Sequence, residues 1–168
     1  MAEGMRPIRA RRVGFEKERG VLSLEADTGR SFVFVELSGP DAGVSEALRV
    51  LSPLAESRLP LQFLRIYPDC LSFVVAQGDL PQVREVLAGA GVTFEASEGC
   101  AVITVVAPNM RSIPGLMARM GEVLFRRAVG MYQMADSHSS VSCVIAAGQL
   151  AEAVEALRRE FGLPEEAA

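Results

Sequence analysis

Residues 71–87 read LSFVVAQGDLPQVREVL, and residues 141–157 read VSCVIAAGQLAEAVEAL. Set side by side at an offset of 70, the two stretches share seven of seventeen residues, where composition alone gives about one. The identical pairs are Ser72/Ser142, Val74/Val144, Ala76/Ala146, Gly78/Gly148, Leu80/Leu150, Glu85/Glu155 and Leu87/Leu157. The chain therefore contains an internal repeat, which predicts two similar structural units.

Each copy of this repeat is expected to form a strand followed by a helix. The opening residues, 71–76 or 141–146, are rich in the β-branched and aromatic side chains that strands favour. A glycine follows each strand, and apolar residues then recur at the spacing of a helix. The apolar stripes are Leu80, Val83, Val86 and Leu87 in the first copy and Leu150, Val154 and Leu157 in the second.

A fainter likeness extends upstream and supplies the rest of each unit. Each copy has a strand, a loop with proline and glycine, a helix and a second strand before the repeated stretch begins. The first copy therefore reads βαββαβ, the α+β arrangement called the ferredoxin-like unit. The predicted strands outside the repeated stretch are 31–37, 61–67 and 92–96 in the first copy and 101–107 and 130–136 in the second.

The second copy lacks its last strand, because only the short segment GLPEEAA follows its final helix. Residues 8–16 and 21–26, at the N-terminus, are also predicted strands, and the first unit does not need them. We predict that this segment completes the sheet of the second unit and locks the two units together. The expected organisation is an N-terminal strand segment at 1–27, a first unit at 28–98, a second unit at 99–163 and a disordered tail at 164–168.

Composition predicts a protein of the cytoplasm. The chain has 168 residues, of which 49% are hydrophobic, and its net charge is −4. No apolar run approaches the ~20 residues that cross a bilayer, and the N-terminus lacks the apolar core of a signal peptide. Cys70, Cys100 and Cys143 show no metal-binding spacing and are expected to be reduced. We therefore expect no membrane contact, no metal and no cofactor.

Three motifs resemble the tandem ACT domains at the regulatory end of aspartokinases. Residues 39–61, GPDAGVSEALRVLSPLAESRLPL, are similar to the family's Pro-Asp-x-x-Gly loop and its helix running into Pro-Leu-Ala-Glu. Residues 105–124, VVAPNMRSIPGLMARMGEVL, resemble its Gly-Met-Arg-Ser-x-x-Gly turn. Residues 136–145, DSHSSVSCVI, resemble its Thr-Ser-Glu-x-x-x-Ser strand pair. The likeness covers nearly all of 28–163, and in this family an N-terminal strand also completes the second unit.

This resemblance implies a regulatory function and not catalysis. ACT pairs of this kind form homodimers, bind an end-product amino acid such as lysine or threonine at the unit interface, and thereby lower the activity of the attached kinase. No kinase domain is present here, because such a catalytic region would be larger than the whole chain. The resemblance therefore implies an amino-acid-sensing module of amino-acid biosynthesis, acting alone or on a partner kinase or biosynthetic enzyme.

The resemblance and the electrostatics of helix termini together place the expected ligand site. Backbone N–H groups of the loop before the first helix can hold an α-carboxylate. Asp41 is the candidate acceptor for the ammonium group. The other side of the site is expected on 130–137, where the two units face each other. The expected ligand-binding residues are Ser38, Gly39, Asp41, Ala42, Gly43, Val44, Ile66, Gly130, Met131 and Ser137.

Some positions depart from the family's pattern. Gly130 stands where members that bind an effector carry asparagine, Ile66 where they carry glutamine, and His138 where they carry glutamate. We therefore expect an effector that is smaller or more apolar than lysine. The alternative is a structural or protein-interaction ACT pair whose effector pocket has decayed, in which case Asp41 is an ordinary turn residue.

Two other classes of function are disfavoured. Arg6, Arg9, Arg11 and Arg12 form a basic arm, but an acidic chain with 6% aromatic residues is not typical of a nucleic-acid-binding protein. The chain has no phosphate-loop, dinucleotide-binding, zinc-protease or serine-hydrolase motif. Its only histidine, His138, is expected in a solvated turn. We therefore expect neither a nucleic-acid partner nor an enzyme.

Overall fold

The computed structural model describes residues 20–37, 44–108, 110 and 113–164. Within them, six strands and four longer helices follow the predicted order. The strands are β1 (Ser23–Glu36), β2 (Gln62–Ile66), β3 (Cys70–Ala76), β4 (Glu95–Val106), β5 (Met131–Asp136) and β6 (Ser140–Ala146); the helices are α1 (Val44–Glu56), α2 (Leu80–Gly89), α3 (Leu116–Arg126) and α4 (Leu150–Phe161). The predicted strand at 8–16 lies outside the described residues, as does the predicted disordered tail apart from Pro164.

The six strands form one antiparallel sheet in the order β2-β3-β1-β4-β6-β5. The C-terminal part of β1 pairs with β3, from Arg30 opposite Ala76 to Glu36 opposite Cys70. Its N-terminal part instead pairs with β4, from Ser23 opposite Val106 onward. Each half of the sheet therefore has four strands in ferredoxin-like order, and the N-terminal strand completes the second half. The predicted fold is confirmed.

Two long strands replace four shorter predicted ones. Residues 21–26 and 31–37 were expected as separate strands, as were 92–96 and 101–107, yet the chain runs through each pair as β1 and β4. The register between β1 and β4 shifts on both sides of Arg30, as in a β-bulge, and Gly29 and Gly99 lie there with φ of +67° and +63°. Glycine adopts this backbone without strain, so the strands bend instead of ending.

The predicted unit boundaries, after residue 27 and after residue 98, fall inside these two strands beside the bulges. The division of the chain into two units at these boundaries stays a prediction. The offset of 70 seen in the sequence relates the two bulge glycines, and it relates Arg58 to Ala128, which have φ of 54° and 53° after α1 and α3. The chain thus repeats its backbone irregularities as well as its regular elements.

In each half of the sheet, the helices pack against one face. The opposite face packs against the other half of the sheet. In α1 the buried residues recur at helical spacing, as Ala47, Val50 and Leu54 do, and they cover strand residues such as Val33. A separate cluster occupies the opposite face of the sheet, and it comprises Phe32, Val74, Cys100, Val102 and Val144. The sheet is therefore folded over, with helices on its two outer sides.

Contacts between the two terminal strands of the sheet show how far it folds. The side-chain nitrogen of Gln133 on β5 donates to the carbonyl of Phe63 on β2 over 2.6 Å. The guanidinium of Arg65 donates to the carbonyl of Met134 over 2.7 Å. Strands at opposite ends of the strand order thus touch each other, and a cleft opens between them. No helix within the described residues is long and apolar enough to span a membrane.

Candidate functional site

The interunit cleft lies between β2 and the end of β5. It has a volume of about 400 Å³, within the range of small-molecule sites. One wall comes from the first half of the chain and the other from the second half, so the cleft exists only because the sheet folds over. Its lining residues are Phe63, Leu64, Arg65, Ile66, Tyr67, Ala135 and Asp136.

A short chain of hydrogen bonds fixes the floor of the cleft. Ser72, which is 7% exposed, donates its hydroxyl to the amide oxygen of Gln133 over 2.7 Å. The amide nitrogen of Gln133 holds the carbonyl of Phe63 from the opposite side. Because both ends of the Gln133 amide are bound, its orientation is set and the two halves of the chain are joined across the cleft.

Phe63 has an unusual backbone for its residue type. Its φ is +51°, in the left-handed region that bulky side chains rarely adopt. The register between β2 and β3 shifts between Gln62 and Arg65, on both sides of this residue. Such conformations cost about 1–3 kcal/mol and occur often at ligand sites. Here the conformation points the carbonyl of Phe63 at Gln133.

Opposite charges line the interunit cleft beside apolar side chains. Arg65 contributes a guanidinium that bonds to the Met134 carbonyl through one nitrogen, and Asp136 contributes a carboxylate. A guanidinium has five N–H donors, so Arg65 keeps others for a ligand. Ile66 and Tyr67 are 50% and 48% exposed beside these charges. An α-amino acid, which carries both charges and a side chain, matches this combination in type.

The predicted ligand residues lie in more than one place. Ile66 lines the interunit cleft, and Ser137 follows its lining residue Asp136 directly. Gly130 and Met131 lie at the other end of β5, roughly 17 Å away at about 3.3 Å per residue. Within one chain, a ligand of amino-acid size in the cleft therefore does not reach them. Ser38, Gly39, Asp41, Ala42 and Gly43 lie outside the described residues.

The expected ligand-binding loop starts beside the interunit cleft. The backbone N–H of Leu37, the last residue described before the loop, donates to the carbonyl of Asp69 over 2.8 Å. Asp69 belongs to the turn after Tyr67, which lines the cleft. At the far end of the loop, Val44 is the first residue of α1 and is 75% exposed.

Arg65 and Asp136 were missed by the sequence analysis. Arg65 is the one charged residue in the predicted strand 61–67, and this isolated charge is the signal that could have identified it. Asp136 ends the predicted strand 130–136, where an acidic residue is ordinary turn chemistry. Their location in one cleft follows from the folding of the sheet, which no local pattern indicates.

The described residues do not support nucleophilic or metal chemistry. Burial raises the pKa of Cys143 to about 12, and burial is also the main cause that raises the pKa of Cys70 and of Cys100. All three thiols therefore lack the depressed pKa of a catalytic cysteine. His138 is exposed in the turn between β5 and β6, as predicted. Among the described residues, no three metal-ligating side chains come together.

Residues 95–159 match the family model of the ACT domain. The matched region runs from the start of β4 through most of α4, which is the second unit. This part of the chain therefore resembles an ACT domain, and the first unit repeats its topology.

The proteins that this chain resembles include aspartokinases. The aspartokinase of Geobacillus stearothermophilus is 39% identical over 101 residues, which are 58% of this chain and 24% of that protein. The regulatory subunit of aspartate kinase from Thermus thermophilus has a TM-score of 0.73 at 18% identity, covering 85% of this chain and 99% of that one. A structure of aspartokinase alpha and beta subunits gives 0.76 at 20% identity, with the same coverage of both chains.

These matches confirm the resemblance to the ACT regulatory region of the aspartokinase family. The similarity of the solved structures shows a shared fold, since their identity is low. The chain spans about a quarter of the length of the curated relatives, 24% of one and 28% of another. By contrast, the match covers 99% of the isolated regulatory subunit from Thermus thermophilus.

Proposed function

We propose that this chain is an amino-acid-sensing regulatory module that acts on a partner kinase or another enzyme of amino-acid biosynthesis. The observation that carries the proposal is the interunit cleft. It offers a cationic and an anionic side chain beside an apolar wall, at the place where two ACT-type units meet. A ligand bound there touches both units and therefore changes how firmly they hold each other.

The recognition of an α-amino acid follows from the charges available at the cleft. The carboxylate accepts hydrogen bonds from free N–H groups of Arg65 and from backbone N–H groups of the loop 38–44. The ammonium group donates to Asp136 or to Asp41. Ile66 and Tyr67 bound the space left for the side chain. The apolar Ile66 disfavours the long polar chain of lysine, so the proposed effector is a smaller or more apolar amino acid.

The alternative function is a structural or protein-interaction ACT pair with a decayed pocket. The observation in its favour is the bond from Arg65 to the Met134 carbonyl, because a guanidinium held by the protein itself can be an architectural contact. Under this alternative the charges of the cleft only fasten the two halves together, and no amino acid binds.

Two kinds of partner belong to the proposal. The first is a second copy of the chain, since β2 and β5 each pair with only one strand in the described residues and meet each other only through side-chain bonds of Arg65 and Gln133. The second is the enzyme under control, because the matched region covers only 24% of the aspartokinase of Geobacillus stearothermophilus. The module itself is proposed to have no catalytic activity, cofactor or metal.

Calorimetric titration with each of the twenty common amino acids tests the proposal. We expect saturable binding of at least one of them. Asp136→Asn and Asp41→Ala should each weaken that binding by about 10- to 100-fold if their carboxylates accept the ammonium group, the worth of one charge-assisted hydrogen bond. The matched control is Glu122→Gln, which removes an exposed carboxylate from α3.

The outcomes separate the two functions. If no amino acid binds, the alternative is correct. If an amino acid binds with unchanged affinity in both aspartate variants, the effector site lies elsewhere and the cleft is not the sensor.

A further inference from the structure

A second cavity lies on the inner face of the folded sheet, beside the N-terminal part of β1. Its volume is about 500 Å³. It shares Phe63 with the interunit cleft and otherwise has different walls. The lining residues of this acid-lined cavity are Glu25, Ala26, Asp27, Gln62, Phe63, Val102 and Thr104.

The internal repeat gives the residues of this cavity counterparts in the other half of the chain. At the offset of 70, Gln62 and Val102 correspond to Tyr132 and Phe32 in the other half of the molecule. There the two aromatic rings stack, with their centroids 5.4 Å apart. At the acid-lined cavity an amide and a valine stand at these positions instead of the stacked pair. The backbone also differs, since β2 shifts its register between Gln62 and Arg65, whereas β5 does so between Met131 and Gln133.

The pairing of β1 with β4 places two carboxylates on this cavity. Glu25 lies directly opposite Thr104, and Asp27 directly opposite Val102. Residues opposite each other on antiparallel strands share a face of the sheet, so both acidic side chains are on the same face as Thr104 and Val102. The charge of this part of the sheet is therefore negative.

Only one of the two carboxylates has a charged partner. Asp27 accepts hydrogen bonds from Nε and Nη2 of Arg30, the first at 3.0 Å. The side chain of Glu25 makes no hydrogen bond or ion pair with the part of the chain that the structure describes. Among the residues that the structure describes, the Glu25 carboxylate thus has no charged partner, and it lies beside the amide of Gln62 and the apolar surfaces of Phe63 and Val102.

We propose that the acid-lined cavity binds a small organic cation that carries one primary ammonium group on an apolar body. The ammonium donates to the carboxylate of Glu25 and to the amide oxygen of Gln62. The apolar body packs against Phe63 and Val102. A zwitterionic amino acid is disfavoured, because its carboxylate would lie beside Glu25 and Asp27. This site is therefore separate from the proposed effector site and does not depend on it.

Titration with n-butylammonium chloride, followed by the backbone amide signals of Val102 and Thr104 in NMR spectra, tests the proposal. We expect saturable shifts at these two residues. Sodium butyrate and 1-butanol have the same apolar body without the positive charge, and they should leave the two signals unmoved. Absence of saturable shifts with the ammonium salt, or equal shifts with all three compounds, would overturn the proposal.

Two variants locate the binding. Glu25→Gln should weaken butylammonium binding about tenfold or more, through loss of one charge-assisted contact. Glu36→Gln, at the far end of the same strand, is the matched control and should change nothing. Val102→Phe combined with Gln62→Tyr copies the stacked pair into the cavity and should abolish binding. If the filled variant does not fold, Glu25→Gln still decides, and unchanged affinity in that variant contradicts the assignment.

Discussion

Gly29 and Gly99 lie where the register between β1 and β4 shifts and the two strands bend. Both have a positive φ, and no atom lies within 4 Å of the position where a Cβ would stand. A substitution at either position therefore strains the backbone without creating a clash, and about 1–2 kcal/mol is the usual magnitude of that strain.

We predict that Gly29→Ala and Gly99→Ala each lower the free energy of unfolding by about 1–2 kcal/mol. Urea denaturation followed by circular dichroism measures this change. Gly78→Ala is the matched control, because Gly78 has equal space and no positive φ, and it should be neutral or slightly stabilising. Losses of equal size at all three glycines would show that the bulges have no special backbone requirement.

Because of Cys143, the free energy of unfolding is expected to depend on pH in the alkaline range. Burial raises its pKa from 9.0 to about 12. Between these values the unfolded chain has lost the thiol proton and the folded chain still holds it. The stability that this thiol contributes is therefore complete below pH 9 and is lost as the pH rises toward 12, by up to about 1.4 kcal/mol per pH unit.

We predict that Cys143→Ala has a lower free energy of unfolding at pH 7 but a flatter decline above pH 9 than the parent chain. The loss at pH 7 comes from the cavity left by the sulfur atom. Urea unfolding at pH 7, 9 and 10 measures both effects. Parallel pH profiles for the two chains would mean that the thiol does not couple to folding.

For single residues, features that depend on local chemistry could be predicted from the sequence. The exposed turn position of His138 follows from its polar neighbours, and the structure confirms it. Arg65 and Asp136 were missed because their meeting requires two strands that lie about 70 positions apart in the chain. The left-handed Phe63 was also missed, since no sequence rule places an aromatic residue in that conformation.

At the scale of elements, the N-terminal strand links the two halves of the sheet. Ser23–Asp27 pair with Val102–Val106, and Leu24 packs against the core of the second unit. Removing these residues therefore leaves one edge of β4 unpaired and uncovers part of that core.

We predict that deletion of residues 1–26 lowers the free energy of unfolding by several kcal/mol, a large share of the ~5–15 kcal/mol typical of a domain. Deletion of residues 1–19 is the matched control, since it leaves β1 whole. Urea unfolding of both truncated chains beside the parent measures the difference. Equal stability of the two truncated chains would contradict the role assigned to this strand.

The order and type of the elements could be predicted because the repeat supplied two independent copies of one pattern. The merging of 21–26 with 31–37 could not. Glycine between two strand patterns normally marks a turn, and the distinction between a turn and a bulge depends on the partner strand. The same limit applies to 92–96 and 101–107, which meet at Gly99.

At the scale of the whole molecule, exposed apolar side chains on a free strand favour self-association. Leu64, Ile66 and Tyr67 of β2 and its turn are 43%, 50% and 48% exposed. Because β2 pairs with β3 alone among the described strands, its other edge can accept a second chain.

We predict a homodimer at micromolar concentration that Leu64→Arg weakens, because the substitution places a charge on this edge. Light scattering coupled to size-exclusion chromatography measures the mass. Leu22→Arg, at a residue of similar exposure outside β2, is the control and should stay dimeric. A parent chain that is strictly monomeric at this concentration would contradict the prediction.

Thermal unfolding of the intact chain with each common amino acid determines whether the two units sense an amino acid. A ligand that binds only the folded state adds about 2.7 kcal/mol to the free energy of unfolding at one hundred times its Kd. We expect one small or apolar amino acid to raise the melting temperature in a saturable manner, and lysine to leave it unchanged. A melting temperature unchanged by all of them, up to millimolar concentration, would contradict this expectation.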